Sequence, residues 1–195
     1  MVERLIPLAA RAAADEVRAF RVREEDPASA VARLDDLRRR YPTIVSDLGF
    51  QGPVFRLQMQ AMQAWYDAEV VRGRENPAAA TAWQHAAHAC ADAGLAWDEA
   101  YACWRTAEAL AKDRASRDAA AAALRRAYEF AVDLQAAPLL AEVKALAQGP
   151  RISLAAIDDS PRPETTVLPG LTAASGRSLL TSSPAAATAR SPVNW

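Results

Sequence analysis

Two histidines and two cysteines are the residues here best able to do chemistry, and three of the four share one short stretch. His85, His88 and Cys90 fall within a span of six residues. An i, i+3 histidine pair can begin a metal site, and a thiolate nearby can extend it. On a helix, however, Cys90 stands five positions from His85 and two from His88, so it points away from both. Packing and hydrogen bonding account for these residues, and no metal is expected. The carboxylate pairs Glu24 and Glu25, Asp35 and Asp36, and Asp158 and Asp159 are sequence neighbours. Neighbours on a helix diverge by about 100°, so adjacency alone builds no acid–base dyad.

Other catalytic or binding patterns are equally sparse. Lys112 and Lys144 are the only lysines, and neither follows a glycine-rich turn, which excludes a phosphate-cradling P-loop. No serine sits in a G-x-S-x-G elbow, and Ser, Cys and His never assemble into a nucleophilic motif. Arg38, Arg39 and Arg40 form a short basic run where cations would meet a helix C-terminal dipole, a solvated cap rather than a phosphate contact. Trp65, Trp83, Trp97 and Trp104 read first as packing aromatics and second as walls of a groove for a ligand or peptide. The sequence therefore predicts no catalytic residue, no cofactor site and no enzyme.

The elements that position these residues are helices. Apolar periodicity near 3.6 predicts segments from Leu8 to about Arg23, Pro27 to Arg40, Pro53 to Arg72, Pro77 to Ala93, Trp97 to Lys112, Ser116 to Gln135 and Pro138 to Gln148. Pro27 falls in a first turn, Pro42 ends the second segment, and a break at Asp47 to Gly52 precedes the third. Asn76 is expected to cap the fourth, with Pro77 at its first position and Gly94 closing it. No stretch alternates with period two, so the expected fold is all-α.

Composition sets the character of the core. Alanine supplies 48 of the 195 residues, giving helix propensity and close approach while burying little area per residue. There are 21 arginines and 2 lysines against 24 acids, for a net charge of −1, which argues against a dominant nucleic-acid-binding surface. Two cysteines make no disulfide framework. No apolar run is long enough to span a membrane, and the N-terminal stretch, cut by Arg11, lacks a signal-peptide core, so a cytoplasmic protein is expected.

Two helix pairs stand out. Trp83, Ala86, Ala87, Cys90 and Gly94 are followed by Ala100, Trp104 and Ala107. Small residues let two antiparallel helices approach, and the aromatics fill the space between them. The pattern is similar to the tetratricopeptide helix pair, one residue longer at the turn, with Trp83, Gly94, Ala100, Trp104 and Ala107 as its packing residues. Leu124, Ala127, Ala131 and Leu134, facing Leu139, Leu140, Val143 and Leu146, offer a second pair. Neither pair can bury its stripe alone, so stacking into a solenoid or bundle over residues 1–150 is expected. Residues 151–172 read as a Ser/Pro/Asp/Thr linker and 173–195 as a disordered tail.

From Ala79 to Arg151 the chain resembles the C-terminal helical region of large LuxR-family transcriptional regulators. The residues that carry this are AGLAWDEAYACWRTAEAL (93–110), DRASRDAAAAALRRAYEFAVDL (113–134) and APLLAEVKALAQGPRI (137–152). The resemblance implies an ATP-binding module first, a tetratricopeptide-like arm next and a LuxR-type helix-turn-helix last. Leu168 to Thr172, Leu-Pro-Gly-Leu-Thr, looks like the phrase that opens that DNA-binding domain. From Ala173 onward the family pattern is lost in the frame as given. When Ala174 to Trp195 are written in permitted codons and read from one base earlier, they give REREVLAHLVAGGRNREIAGEL. That is an amphipathic helix, a glycine turn and a second helix opening Asn-Arg-Glu-Ile-Ala, in the order the family uses. The last two bases of each shifted codon are set by the observed residue, up to the choice between two codon families at Ser, Arg and Leu. The recovered segment stops before the recognition helix that would enter the major groove.

These observations together imply a fragment of a LuxR-type regulator whose DNA-binding domain is lost to a one-base frame change. Such a chain would receive a protein or small-molecule effector through its helical arm. DNA would be a partner only of the full-length in-frame regulator, and no membrane is involved. The alternative is a free-standing helical-repeat scaffold that binds a protein partner.

Overall fold

The computed structural model describes residues 4–44 and 52–149. Among them there are seven α-helices and no strand: α1 (Leu5–Val22), α2 (Ala28–Arg40), α3 (Pro53–Gly73), α4 (Ala79–Asp92), α5 (Ala96–Leu110), α6 (Arg117–Asp133) and α7 (Ala137–Gln148). A 3-10 turn, Arg114–Ser116, leads into α6, and the Asp113 side chain accepts the Ala115 N–H ahead of it. The all-α fold is as the periodicity requires. The linker at 151–172, the tail at 173–195 and nearly all of the break at Asp47 to Gly52 lie outside the described residues.

Two helix starts differ from the sequence expectation by more than one residue. α1 begins at Leu5 rather than Leu8, with Pro7 buried in its first turn, where the missing N–H costs no intrahelical bond. α4 begins at Ala79, two residues later than an Asn76 cap would place it. Asn76 instead closes a turn ahead of the helix: its side chain accepts the Ala78 N–H at 2.9 Å, and its carbonyl accepts the Ala79 N–H at 3.0 Å. The N-terminus of α4 is consequently without a side-chain cap.

Four helices share one ending. Glu24, Glu75, Gly94 and Gln135 take φ of 59°, 50°, 67° and 51° just past α1, α3, α4 and α6. In each case the next residue's N–H returns to a carbonyl five residues back, as from Leu95 to Cys90 at 2.9 Å and from Ala136 to Ala131 at 2.9 Å. These are Schellman endings, which satisfy orphan carbonyls and turn the chain sharply enough for the next helix to pack back. Only Gly94 adopts this left-handed geometry without a side-chain penalty.

α5 is the centre of the packing. Every residue from Asp98 to Ala107 is buried, because α4 covers one side of the helix and α6 the other. α3 packs on α4, α1 packs on α3, and α7 lies mainly on α6. Alanines at the contacts let these axes come close. Gly73 does the same for the first three helices: a Cβ there would enter the Leu34 side chain and sit 3.1 Å from Ala14 Cβ. On α6 and α7, Leu124, Ala127, Ala131, Leu139 and Val143 are buried as their spacing predicts. Leu134 is not. It follows the last turn of α6, where the chain swings outward, and is 42% exposed. No described helix is long and apolar enough to cross a membrane.

Candidate functional site

Inside this helical stack lies a connected set of charged and aromatic groups. Glu69 on α3 is fully buried, and both of its oxygens are used. The Tyr101 hydroxyl on α5 donates to Glu69 Oε1 at 2.7 Å, and Arg72 Nε donates to Oε2 at 2.7 Å. One turn on, Arg105 Nε donates to the Tyr101 hydroxyl oxygen at 2.9 Å. Asp15 of α1 accepts from Arg72 at 2.8 Å and from Arg105 at 3.1 Å, tying three helices together. Glu108 accepts from Arg105 at 2.8 Å and also pairs with Arg18.

The electrostatics hold the members of this network in fixed protonation states. Burial, then the nearby Glu69 charge, raise the Tyr101 hydroxyl well above the usual phenol range. A phenol held that firmly protonated is no general base at neutral pH. Burial opposes the charge on Arg105, yet Tyr101, Glu108 and Glu69 outweigh it and hold the guanidinium protonated. Burial and the nearby Arg105 charge work against Arg72, and Glu69, with Tyr101 and Asp15, overcomes them. Buried charges persist because they are paired and hydrogen-bonded.

Tyr101 also anchors the aromatic residues. The rings of Trp65, Trp83 and Trp104 meet it edge-on at centroid distances of 5.5, 5.6 and 5.6 Å. Trp97 lies parallel to it at 5.8 Å with an interplanar angle of 8°. The Arg11 guanidinium sits 4.4 Å from the Tyr101 ring centroid, a cation–π contact. Trp97, Tyr101, Trp104 and Arg11 help to line a groove of about 630 Å³ between α1, α5 and α7, with Leu139 and Glu142 on its far wall. Its size and mixed aromatic and charged lining suit a small molecule or a short peptide segment.

The residues singled out by sequence fall into distinct places. Trp83, Ala100 and Ala107 are buried in the main core cluster, and Trp104 is both nearly buried and part of the groove wall. Gly94 supplies the left-handed ending of α4. Trp97 departs from the packing reading, being 42% exposed at the groove mouth. His85 and His88 face outward while Cys90 faces the core, and no cluster of metal-binding side chains occurs among the described residues. Burial pushes the Cys90 thiol up to about 12 and the Cys103 thiol up to about 11, which favours the protonated form of both at neutral pH. Asp35 and Asp36 part company as neighbours on a helix must, the first bonding Arg74 at 2.6 Å and the second Arg39 at 2.7 Å. Arg38 crosses to Asp67 on α3, whereas Arg39 stays on its own helix.

Sequence reasoning missed the Glu69, Tyr101 and Arg105 network. A signal was available in α5, whose apolar residues occur on every side rather than in one stripe. Such a helix is central, so the charged Asp98, Glu99 and Arg105 within it must be buried and paired. Arg126 meets Glu99 at 3.2 Å, and Arg4 meets Asp98 at 3.6 Å. No protein-family model, curated protein or solved structure matches the chain.

Proposed function

We propose that the chain is the helical arm of a LuxR-type transcriptional regulator, and that the groove between α1, α5 and α7 is where this arm receives a protein or small-molecule effector. The observation that carries the assignment is the helix-turn-helix phrase recovered after Ala173 by a one-base shift, directly behind Leu-Pro-Gly-Leu-Thr. The groove supports the receiving role, since it places the exposed Trp97 ring beside Arg11 on a floor fixed by the buried network. In the in-frame regulator, occupancy of the groove would bear on α7, the last helix before the linker to the DNA-binding domain. The chain in the frame given has no intact DNA reader, uses no cofactor and works in the cytoplasm.

Inserting one base at the Ala173 codon, and reading on through the downstream nucleotides, tests the proposal. The restored product is expected to bind DNA with an affinity that falls steeply with salt, while the chain as given does not. A restored product without DNA affinity contradicts the assignment, as does tight binding of one promoter fragment by the chain itself. A free-standing scaffold is the second reading, favoured by the groove alone, whose aromatic and charged lining on α1, α5 and α7 suits a protein segment. Capture of a protein partner that is lost in Trp97→Ala, in cells lacking any in-frame regulator, would favour that reading.

A further inference from the structure

The groove between α1, α5 and α7 contains one charged side chain that no other described residue answers. Its four arginines are all engaged. Arg11 meets Asp15 at 3.8 Å and lies over the Tyr101 ring at 4.4 Å. Arg18 pairs with Glu108, and Arg23 pairs with Glu25 at 3.0 Å. Arg105 meets Asp15 at 3.1 Å and Glu108 at 2.8 Å. Glu142, on α7, lines the same groove, is exposed, and makes no ion pair or hydrogen bond among the described residues. An anion entering here would compete with a carboxylate at every arginine, whereas a cation meets an open partner in Glu142.

The aromatic wall selects the same sign of charge. Three times the protein sets a guanidinium over a ring while a glutamate holds its charge. Arg105 lies over Trp104 at 4.1 Å and pairs with Glu108. Arg126 lies over Phe130 at 4.3 Å and pairs with Glu129 at 3.7 Å. Arg23 lies over Phe20 at 5.1 Å and pairs with Glu25. Trp97 and Glu142 supply the ring and the carboxylate of such a set, but no described cation lies over Trp97, the most exposed ring of the groove. An indole face attracts a cation, and a carboxylate accepts two parallel N–H bonds from a guanidinium. A planar guanidinium can satisfy both partners, whereas an ammonium is a compact and strongly hydrated point charge.

We propose that Trp97 and Glu142 receive an arginine side chain from a partner's peptide segment. The inference rests on the reading of this groove as the receiving surface and names what it receives. A peptide source fits the groove's volume of about 630 Å³, far more than one guanidinium fills, and its apolar Val22 and Leu139 would flank the segment. Nitrogen–proton spectra of the full chain would be titrated with the acetylated, amidated tripeptide Ala-Arg-Ala. Ala-Lys-Ala, Ala-Gln-Ala, methylguanidinium and sodium sulfate serve as comparisons at matched ionic strength. The arginine peptide is expected to move the Trp97 indole signal saturably and to bind more tightly than all four comparisons. The chain is used in the frame given, so this outcome is independent of whether a restored product binds DNA.

Glu142→Gln should weaken binding of the arginine peptide by about tenfold, the loss of a charge-assisted contact. Helicity should be unchanged, because Glu142 holds no other described residue. Trp97→Ala should weaken binding by about threefold through loss of the cation–π contact. Lys112→Gln alters charge outside the groove and should leave the affinity as it was. Full affinity in Glu142→Gln, or an Ala-Gln-Ala peptide that binds as tightly as the arginine one, would overturn the site. Saturable movement of the Trp97 signal by sulfate would overturn it too, by showing that the arginines remain open to anions. Methylguanidinium binding as tightly as the peptide would put a small cation in the groove and overturn the peptide source.

Discussion

Glu69 shows how much of this protein rests on a single side chain. Its carboxylate is buried on α3 and answers both Tyr101 and Arg72, so removing it leaves the Tyr101 hydroxyl without its acceptor and Arg72 with Asp15 as its remaining carboxylate partner. Glu69→Leu is expected to cost about 3–5 kcal/mol in urea unfolding, because breaking one partner of a buried pair leaves the other uncompensated. A loss under about 1 kcal/mol, the size of a surface pair, would mean the network contributes little. Glu108 makes a prediction about pH. Burial would raise its carboxyl, but Arg105 and then Arg18 more than offset that and hold it below the ordinary 4.5. A carboxyl depressed in the folded state adds stability above its unfolded value and loses it as pH falls through the folded one. Acid should therefore destabilise the parent through the range below 4.5. Glu108→Gln should be less stable at neutral pH and flatter through that range. Parallel stability curves for the two proteins would contradict the assignment.

At the scale of elements, the four Schellman endings allow a direct comparison between glycine and non-glycine residues in one geometry. A Cβ at Gly94 would touch nothing within 4 Å, so only its φ of 67° opposes a side chain there. Gly94→Ala is expected to destabilise by about 1 kcal/mol, and Gln135→Gly to stabilise by a similar amount. Equilibrium unfolding of both variants checks this, and equal effects of the same sign would show that φ is not the controlling term. These endings also mark what the sequence made legible. Gly94 announced the end of α4, but Glu24, Glu75 and Gln135 bear no glycine, and only the 3.6 periodicity placed their helices. Asn76 and Pro77 had the residue types of a cap and first turn, yet the backbone bond from Ala79 to Asn76 formed a separate turn instead. The tryptophans divided for a reason periodicity does not show. Trp65 and Trp83 meet Tyr101 from within the core, whereas Trp97, in the first turn of α5, lies where the covering helices end. The charged network was hidden because the pairs that join its helices lie far apart along the chain, as Asp15 does from Arg105 and Glu69 from Tyr101.

For the whole molecule, a central α5 connects the groove, the buried network and a second cavity, with Arg18 and Arg105 in the walls of both openings. An arm built this way can register occupancy on either side, and in the proposed regulator a DNA-binding domain would stand beyond α7. That domain is the central claim, and the nucleotide sequence across codons 168–195 tests it most directly. The account predicts bases that, read from one position earlier after Ala173, spell REREVLAHLVAGGRNREIAGEL and continue downstream into a recognition helix. Codons in the same stretch that break this phrase, with stops or unrelated residues in the shifted frame, would contradict it.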